Sequence, residues 1–159
     1  MCFSVRWLVV WKTEPVSCWL PIMDDGEPTR RWVFSGSPWE DMAGYARAVV
    51  DGEWVFVSGT VGVDFMTGLW PATAGEQADK ACTTIVDALH AAHADIGDIV
   101  RVRVYVPDRA DIPAVSAVLK TRFGIARPAN TTVCCALAVE QALVEIEVTA
   151  RKRGTPPSR

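Results

Sequence analysis

The sequence predicts an α+β fold, a mainly antiparallel sheet covered on one face by two helices. Three observations lead there. First, two segments alternate with a period of two, the signature of a half-buried strand. Ile99 to Val106 sets Val100, Val102, Val104 and Val106 on one side and Arg101, Arg103 and Tyr105 on the other. Val144 to Ala150 hides Val144, Ile146 and Val148 and turns Glu145 and Glu147 outward. Second, from Thr73 to about Ala94 the apolar residues Ala78, Cys82, Ile85, Leu89 and Ala92 recur at helical spacing. Third, Asp51-Gly52 lies between two β-rich runs, a strong signal for a two-residue hairpin.

The elements follow in order. Arg31-Trp32-Val33-Phe34 reads as a short first strand. Tyr45 to Val50 and Glu53 to Ser58 form the hairpin, with Val50 facing Glu53 and Tyr45 facing Ser58. Gly59 ends the second of these strands, either where backbone can approach a ligand or as a simple bend. Thr73-Ala74-Gly75-Glu76 fits a capping box, in which side chain and backbone exchange hydrogen bonds at a helix start. Cys82 is a small core residue of that helix. Asp111 caps a second helix with Pro113 in its first turn; Ile112, Val115, Leu119 and Phe123 make its buried stripe, and Gly124 stops it. Residues 127–135 and 144–150 read as two adjacent strands, joined by a short turn around Val139 to Ala142. The helices must cover the valine and isoleucine face. The opposite face, with Arg101, Arg103, Tyr105, Glu145 and Glu147, meets either water or other copies of the same sheet.

At 159 residues, half of them hydrophobic and 22% charged, the chain has the size and composition of one globular domain. The formal charge is −3, the pI about 5.4, and basic residues form no long run, so nucleic acid is not an expected partner. The five cysteines (Cys2, Cys18, Cys82, Cys134 and Cys135) are odd in number and contain no C-x-x-C pair. Cys134 and Cys135, neighbours on a strand, point to opposite faces. Reduced thiols in the cytoplasm fit better than a disulfide framework or zinc site. No apolar run reaches the roughly 20 residues that span a bilayer. The first 22 residues, with Trp7 to Trp11 followed by Lys12, Glu14 and Pro15, differ in character from the rest, and Met23 opens a polar leader. Residues 1–28 are therefore expected to be a non-native or poorly ordered extension, 29–153 the domain, and 154–159 a disordered tail. His90 and His93 share a helix face but have no third ligand nearby, so no metal is expected. Ser58 lacks the context of a nucleophile. Cys134 and Cys135 are read as packing residues. Gly59, Gly62 and Gly68 do not make a phosphate loop, and no cofactor is implied.

Several short pieces carry a resemblance: Tyr45-Ala46-Arg47-Ala48-Val49, Val57-Ser58-Gly59-Thr60, Val100 to Val106, Asp108-Arg109-Ala110-Asp111, Arg127-Pro128-Ala129-Asn130-Thr131-Thr132 and Val144-Glu145-Ile146-Glu147. In this order and spacing, from about Tyr45 to Arg151, the chain resembles the RidA/YjgF family. The resemblance implies a chorismate-mutase-like α+β fold and a homotrimer with sheets inward and helices outside. Three ligand clefts would lie between subunits, with Arg101, Arg103 and the glutamates cross-linking neighbours. It also implies hydrolysis of reactive enamines and imines. In deaminating members an arginine grips the carboxylate of a 2-imino acid with its planar fork. A glutamate positions the water that attacks the C=N carbon, and ammonia leaves a 2-keto acid behind.

Carried over by position, the resemblance puts the catalytic glutamate at Glu145 and substrate contacts at Tyr45, Ser58, Gly59 and Thr132. Ser116 stands where the second helix often carries asparagine. The arginine position falls on Asn130, which offers an amide but no charge. Losing a charged bidentate contact weakens carboxylate binding by about 1.5–3 kcal/mol. The pattern resembles the arginine-lacking subgroups, so the standard 2-imino acid activity is expected to be weak. Arg127, three residues earlier, either swings its guanidinium back into the cleft or is a surface loop residue, the simpler reading. The expectation is a trimer acting on a small imine, enamine or related metabolite by adding water. The alternative is a trimer that binds a small molecule without turning it over. Some family members carry endoribonuclease or translation-inhibitor names, but the acidic balance and the lack of a histidine pair placed for RNA cleavage lend that little support.

Overall fold

In the computed structural model the described residues are 30–153, together with the backbone of one strand at Leu20–Asp24. Strands β1 (Leu20–Asp24), β2 (Arg30–Phe34), β3 (Ala48–Asp51), β4 (Trp54–Val61), β5 (Ile99–Val106), β6 (Ala129–Cys134) and β7 (Glu145–Arg151) form a single sheet in the order β1-β2-β3-β4-β7-β5-β6. Every pairing is antiparallel except β5 with β6. Helices α1 (Pro38–Ala43), α2 (Ala74–Ala91) and α3 (Ile112–Phe123) complete the domain. The architecture is thus α+β with a mixed sheet. The extension expected over 1–28 lies outside the described residues apart from Leu20–Asp24, which pairs with β2, and the tail expected over 154–159 lies outside them too. No helix among the described residues is long and apolar enough to cross a membrane.

The core fills the space between one sheet face and helices α2 and α3. Val33, Ala48, Val50, Val55, Val57, Val102, Val104, Val106, Ile146, Val148 and Ala150 meet the helical stripe of Ala78, Cys82, Ile85 and Leu89. Fully burying Ile85 or Leu89 contributes about 1.5–3 kcal/mol each. Burial also pushes the Cys82 thiol up to about 12, which makes it an inert packing group. The capping box forms as expected: Glu76 N donates to Thr73 Oγ1 at 3.2 Å and Thr73 N to Glu76 Oε2 at 3.1 Å.

Four expectations change. The hairpin register slips by two: Asp51 pairs with Trp54 and Val50 with Val55, so the loop is Gly52-Glu53, not Asp51-Gly52. Gly52 carries the positive φ of +58°, at the first loop position, where a Gly-X turn needs it. Val100 is not in the core. The β5–β7 register shifts between Ile99 and Arg101, which turns Ile99 inward and leaves Val100 43% exposed. Asp111 makes no cap bond; Asp108 does, accepting Ala110 N at 2.8 Å, and opens a tight turn at Arg109–Asp111 that runs into α3. Finally, the strands within 127–135 and 144–150 are not neighbours. The α3 crossover delivers β6 parallel to the free edge of β5, as a helical crossover does. The chain then crosses back to place β7 between β4 and β5.

That return connection is tied down by Gln77, a buried residue of α2. Its Nε2 donates to the carbonyls of Pro71 (3.1 Å) and Gln141 (3.0 Å), and its Oε1 accepts Leu143 N at 2.8 Å. The loop before α2 is fastened by Asp64. Its Oδ1 accepts the amides of Met66 and Thr67, and Lys80 Nζ sits 2.7 Å from its Oδ2, which holds the carboxyl down at about 2. Both segments carry walls of the cavity described next.

Candidate functional site

The β4–β7 register runs Val57 with Val148 and then Thr60 with Ile146, so one extra residue is accommodated at Ser58-Gly59. Such a bulge bends a strand and re-aims its groups. Ser58 turns to the segment that leads into β3: its hydroxyl donates to Ala46 O at 2.8 Å and its amide to Arg47 O at 3.0 Å. A Cβ on residue 59 would overlap Glu145 Oε1. Gly59 therefore does more than bend the chain: the group drawn close to its backbone is the protein's own carboxylate. Burial, and then the neighbouring Glu147, push the Glu145 carboxyl above the usual glutamate range, and Arg47 partly opposes them.

Around this point Trp39, Tyr45, Arg47, Val61, Phe65, Val139 and Glu145 line a cavity of about 380 Å³. Trp39 meets Phe65 edge to face, with centroids 6.1 Å apart. Arg47, in the bend that leads into β3, is only 1% exposed. Its Nη1 donates to Gly59 O and Thr60 Oγ1, both at 3.1 Å, and its Nη2 to the Tyr45 hydroxyl at 3.2 Å. Its Nε lies 3.4 Å from Glu40 Oε1, a counter-ion that is itself buried.

The remaining expected contacts sit elsewhere. The β5–β6 register sets Asn130 beside Val102 and Thr132 beside Val104, on the helix side of the sheet. There Ser116, Lys120, Arg127, Asn130 and Thr132 line a second cleft, about 310 Å³, between α3 and the β6 edge. Thr132 Oγ1 donates to Asn130 Oδ1 at 3.2 Å. Arg127 follows the end of α3 with a left-handed φ of +47° and is exposed. Glu145, by contrast, pairs with Tyr105 on the outer face. The expected residues thus form two groups on opposite faces of one sheet: Tyr45, Ser58, Gly59 and Glu145 in one, and Ser116, Arg127, Asn130 and Thr132 in the other. Elsewhere, His90 faces Asp95 at 3.6 Å, and Cys134 lies on the exposed edge strand β6 rather than in the core.

Sequence reasoning missed Glu40, Arg47, Trp39 and Phe65. A signal for α1 was present: Ser37 caps, Pro38 takes the first turn and Gly44 closes with φ +67°, a complete start-and-stop signature. Nothing local marks Arg47 as buried, because the groups that cover it come from other segments.

The Gly59 geometry gives a direct expectation. Gly59→Ala should leave the melting temperature within about 3 °C of wild type, since the clash is with the end of a flexible side chain. It should nevertheless reduce ligand binding or turnover by roughly tenfold or more by driving Glu145 from its seat. A melting curve beside a binding titration checks both; a variant with unchanged function would show that the seat is dispensable.

Residues 37–152 match the family model described as Endoribonuclease L-PSP. An uncharacterized protein of Streptomyces coelicolor is 35% identical over 127 residues, covering 78% of this chain and 92% of the relative. A 2-iminobutanoate/2-iminopropanoate deaminase of the mite Dermatophagoides farinae is 32% identical over 104 residues, covering 65% of this chain and 81% of the relative. Among solved structures, a member of the YjgF/YER057c/UK114 family from Mycobacterium tuberculosis superposes with a TM-score of 0.71 at 37% identity, covering 77% of this chain and 99% of that one. The bulge, the Glu145 seat and the sheet order described above therefore belong to a member of the Endoribonuclease L-PSP family, the RidA/YjgF family whose motifs the sequence carries.

Proposed function

We propose that the chain forms a homotrimer whose intersubunit clefts add water to a small imine, enamine or related metabolite, and that carboxylate-bearing 2-imino acids are poor substrates. The observation that carries this reading is the seat of Glu145: a half-buried carboxylate with raised proton affinity, lodged over Gly59 in a cavity walled by aromatic side chains. Such a group suits general base chemistry near neutral pH. It takes a proton from water as the water oxygen bonds to the C=N carbon. The π pair moves to nitrogen, which takes up a proton. The carbinolamine then collapses: its hydroxyl proton passes by way of Glu145 to the nitrogen, the C–N bond breaks and ammonia leaves a carbonyl product.

The second subunit enters because Asn130 and Glu145 face opposite sides of one sheet. A site using both needs two chains, with the β6 edge of one against the outer face of the next. These are different patches, so the contact is heterologous and closes only as a ring. Two further features support a covered outer face: β6 is exposed along its whole length, and Trp54 and Phe56 stand 42% and 47% exposed beside each other. A mass of about three times 17.4 kDa by light scattering is expected; a monomer would overturn the shared site. The acidic charge balance favours a small-molecule ligand over nucleic acid, and the free thiols fit a cytoplasmic setting.

Generating 2-iminobutanoate in situ and following its decay tests the substrate reading. Wild-type protein should be slow, and Asn130→Arg should raise kcat/KM by roughly ten- to a hundredfold by restoring the carboxylate clamp. Wild-type activity equal to that of arginine-bearing relatives would sink the assigned role of Asn130. Saturable binding of an uncharged carbonyl compound without turnover of any imine would identify a binding trimer instead.

A further inference from the structure

We propose that Arg47 is a positioning residue: it fixes Tyr45 as a hydrogen-bond donor to the ligand in the Glu145 cavity, and Glu40 is the buried counter-ion that makes this possible. The proposal rests on reading that cavity as a ligand site. It starts from donor and acceptor counting. A guanidinium has donors only. At the 3.2 Å contact between Arg47 Nη2 and the Tyr45 hydroxyl, the phenol oxygen is therefore the acceptor. The phenol proton must leave that oxygen in another direction, and no acceptor among the described residues takes it. Tyr45 lines the cavity with Glu145, so an imine nitrogen or carbonyl oxygen bound there can receive the proton's hydrogen bond. A hydroxyl normally rotates between giving and accepting; this one is held in the giving state.

The rest of the cluster is arranged to hold the guanidinium still. Two carbonyl or hydroxyl oxygens of the bulge, Gly59 O and Thr60 Oγ1, accept from Nη1. The Tyr45 and Phe65 rings lie 5.6 and 5.7 Å from the guanidinium carbon. Glu40 faces Nε, and its carboxylate is pinned in turn by Ser35 N, Ser35 Oγ and Gly36 N. The backbone carbonyl of Glu40 accepts Tyr45 N at 3.0 Å, which links counter-ion and phenol through one turn. A buried ion pair is weak evidence for stability, because apolar residues of similar volume often serve as well. A role in fixing one hydroxyl gives the pair a reason to exist. With Glu40 beside it as counter-ion, Arg47 serves the cavity chiefly by orientation.

The test uses full-length protein labelled with 3-fluorotyrosine. The chain has two tyrosines, Tyr45 and Tyr105, so fluorine NMR gives two resonances, assigned with Tyr45→Phe. Arg47→Gln alone strands Glu40 and can fail to fold, so the working variant is Arg47→Gln with Glu40→Gln, verified by its melting curve. In the ligand-free protein the Tyr45 resonance should shift and broaden while that of Tyr105 stays in place. With 2-oxobutanamide as an uncharged probe, affinity should fall about tenfold, as for the loss of one hydrogen bond. Tyr45→Phe should lose the same factor, and the triple variant no more, because both changes remove one interaction. An unmoved Tyr45 resonance, or losses that multiply, would overturn the proposal. If wild-type protein does not bind 2-oxobutanamide at all, the ligand-site reading fails by itself, and the ligand-free spectrum still decides whether Arg47 orders Tyr45.

Discussion

Glu145→Gln is expected to abolish imine turnover while making the folded chain more stable at neutral pH. Removing a general base costs roughly 10²–10⁴ in rate. The gain in stability follows from the same raised proton affinity. Burial and Glu147 disfavour the ionised form in the folded state, so its carboxyl titrates above the usual glutamate value. A carboxylic acid shifted upward binds its proton more tightly folded than unfolded. Its favourable contribution is therefore present at acid pH and is lost as pH rises through the folded value. At neutral pH the wild type carries a half-buried charge next to a like charge, and the amide carries none. The difference in melting temperature between variant and wild type should be near zero in acid and grow in favour of the variant as pH rises toward neutrality. The activity of the wild type should fall on the acid side at a higher pH than an ordinary glutamate would dictate. A Glu145→Gln protein that melts lower than wild type at neutral pH, or that turns substrate over undiminished, would remove this residue from the mechanism. Trading stability for a strained functional group is a common property of active sites.

How far such a site could be read from sequence depends on which interactions are local. The α2 stripe and its capping box were legible, because helix periodicity and a four-residue cap are set by near neighbours. The faces of β5 and β7 were legible wherever the pleat is regular: Val102, Val104, Val106, Ile146 and Val148 all lie inside. Legibility stops where a partner strand imposes an irregularity. Val100 looks like its neighbours and ends outside because the register with β7 shifts beside it. The hairpin at Asp51-Gly52 slips because both registers offer a glycine with positive φ, and burial of Val50 against Val55 decides between them. Pairing of β6 with β5 rather than β7 is a property of the crossover, invisible in either strand alone.

The site follows the same rule. Glu145, Tyr45, Ser58 and Gly59 line one cavity, while Asn130, Thr132, Ser116 and Arg127 line another. What motif positions could not convey is that the two groups are separated by the thickness of a sheet. Nor could they convey the Glu40–Arg47 pair. Arg47 lies just before β3, outside any regular strand, where a charged residue normally meets water. It is buried because α1 folds Glu40 back over it and the loop fastened by Asp64 brings Phe65 to its other side. Each contact joins residues that no periodicity connects.

Gly62→Ala should be far more damaging to stability than the same change at Gly59. A Cβ on residue 62 would fall inside the van der Waals envelope of Gln77, against its backbone Cα and carbonyl oxygen as well as its Cβ. Helix backbone cannot rotate aside as a carboxylate can, so α2 must lift from β4. That face of α2 is built from Ala74, Ala78 and Ala81, small residues that allow the helix to lie close to the sheet. Lifting it opens the core along its length and disturbs all three Gln77 hydrogen bonds at once. Overpacking against fixed backbone and a buried amide left unsatisfied together cost about 3–4 kcal/mol. For a chain of this size that is a fall of roughly 10 °C in melting temperature. The damage should reach the cavity by one route. Leu143 N loses its acceptor on Gln77, so the return connection bearing Val139 comes loose. In hydrogen exchange the Leu143 amide should lose protection more than the amides of β5, which α2 does not hold in register. A Gly62→Ala protein melting within about 2 °C of wild type would mean that the helix yields at that point, and that closeness of α2 to the sheet does not support the site.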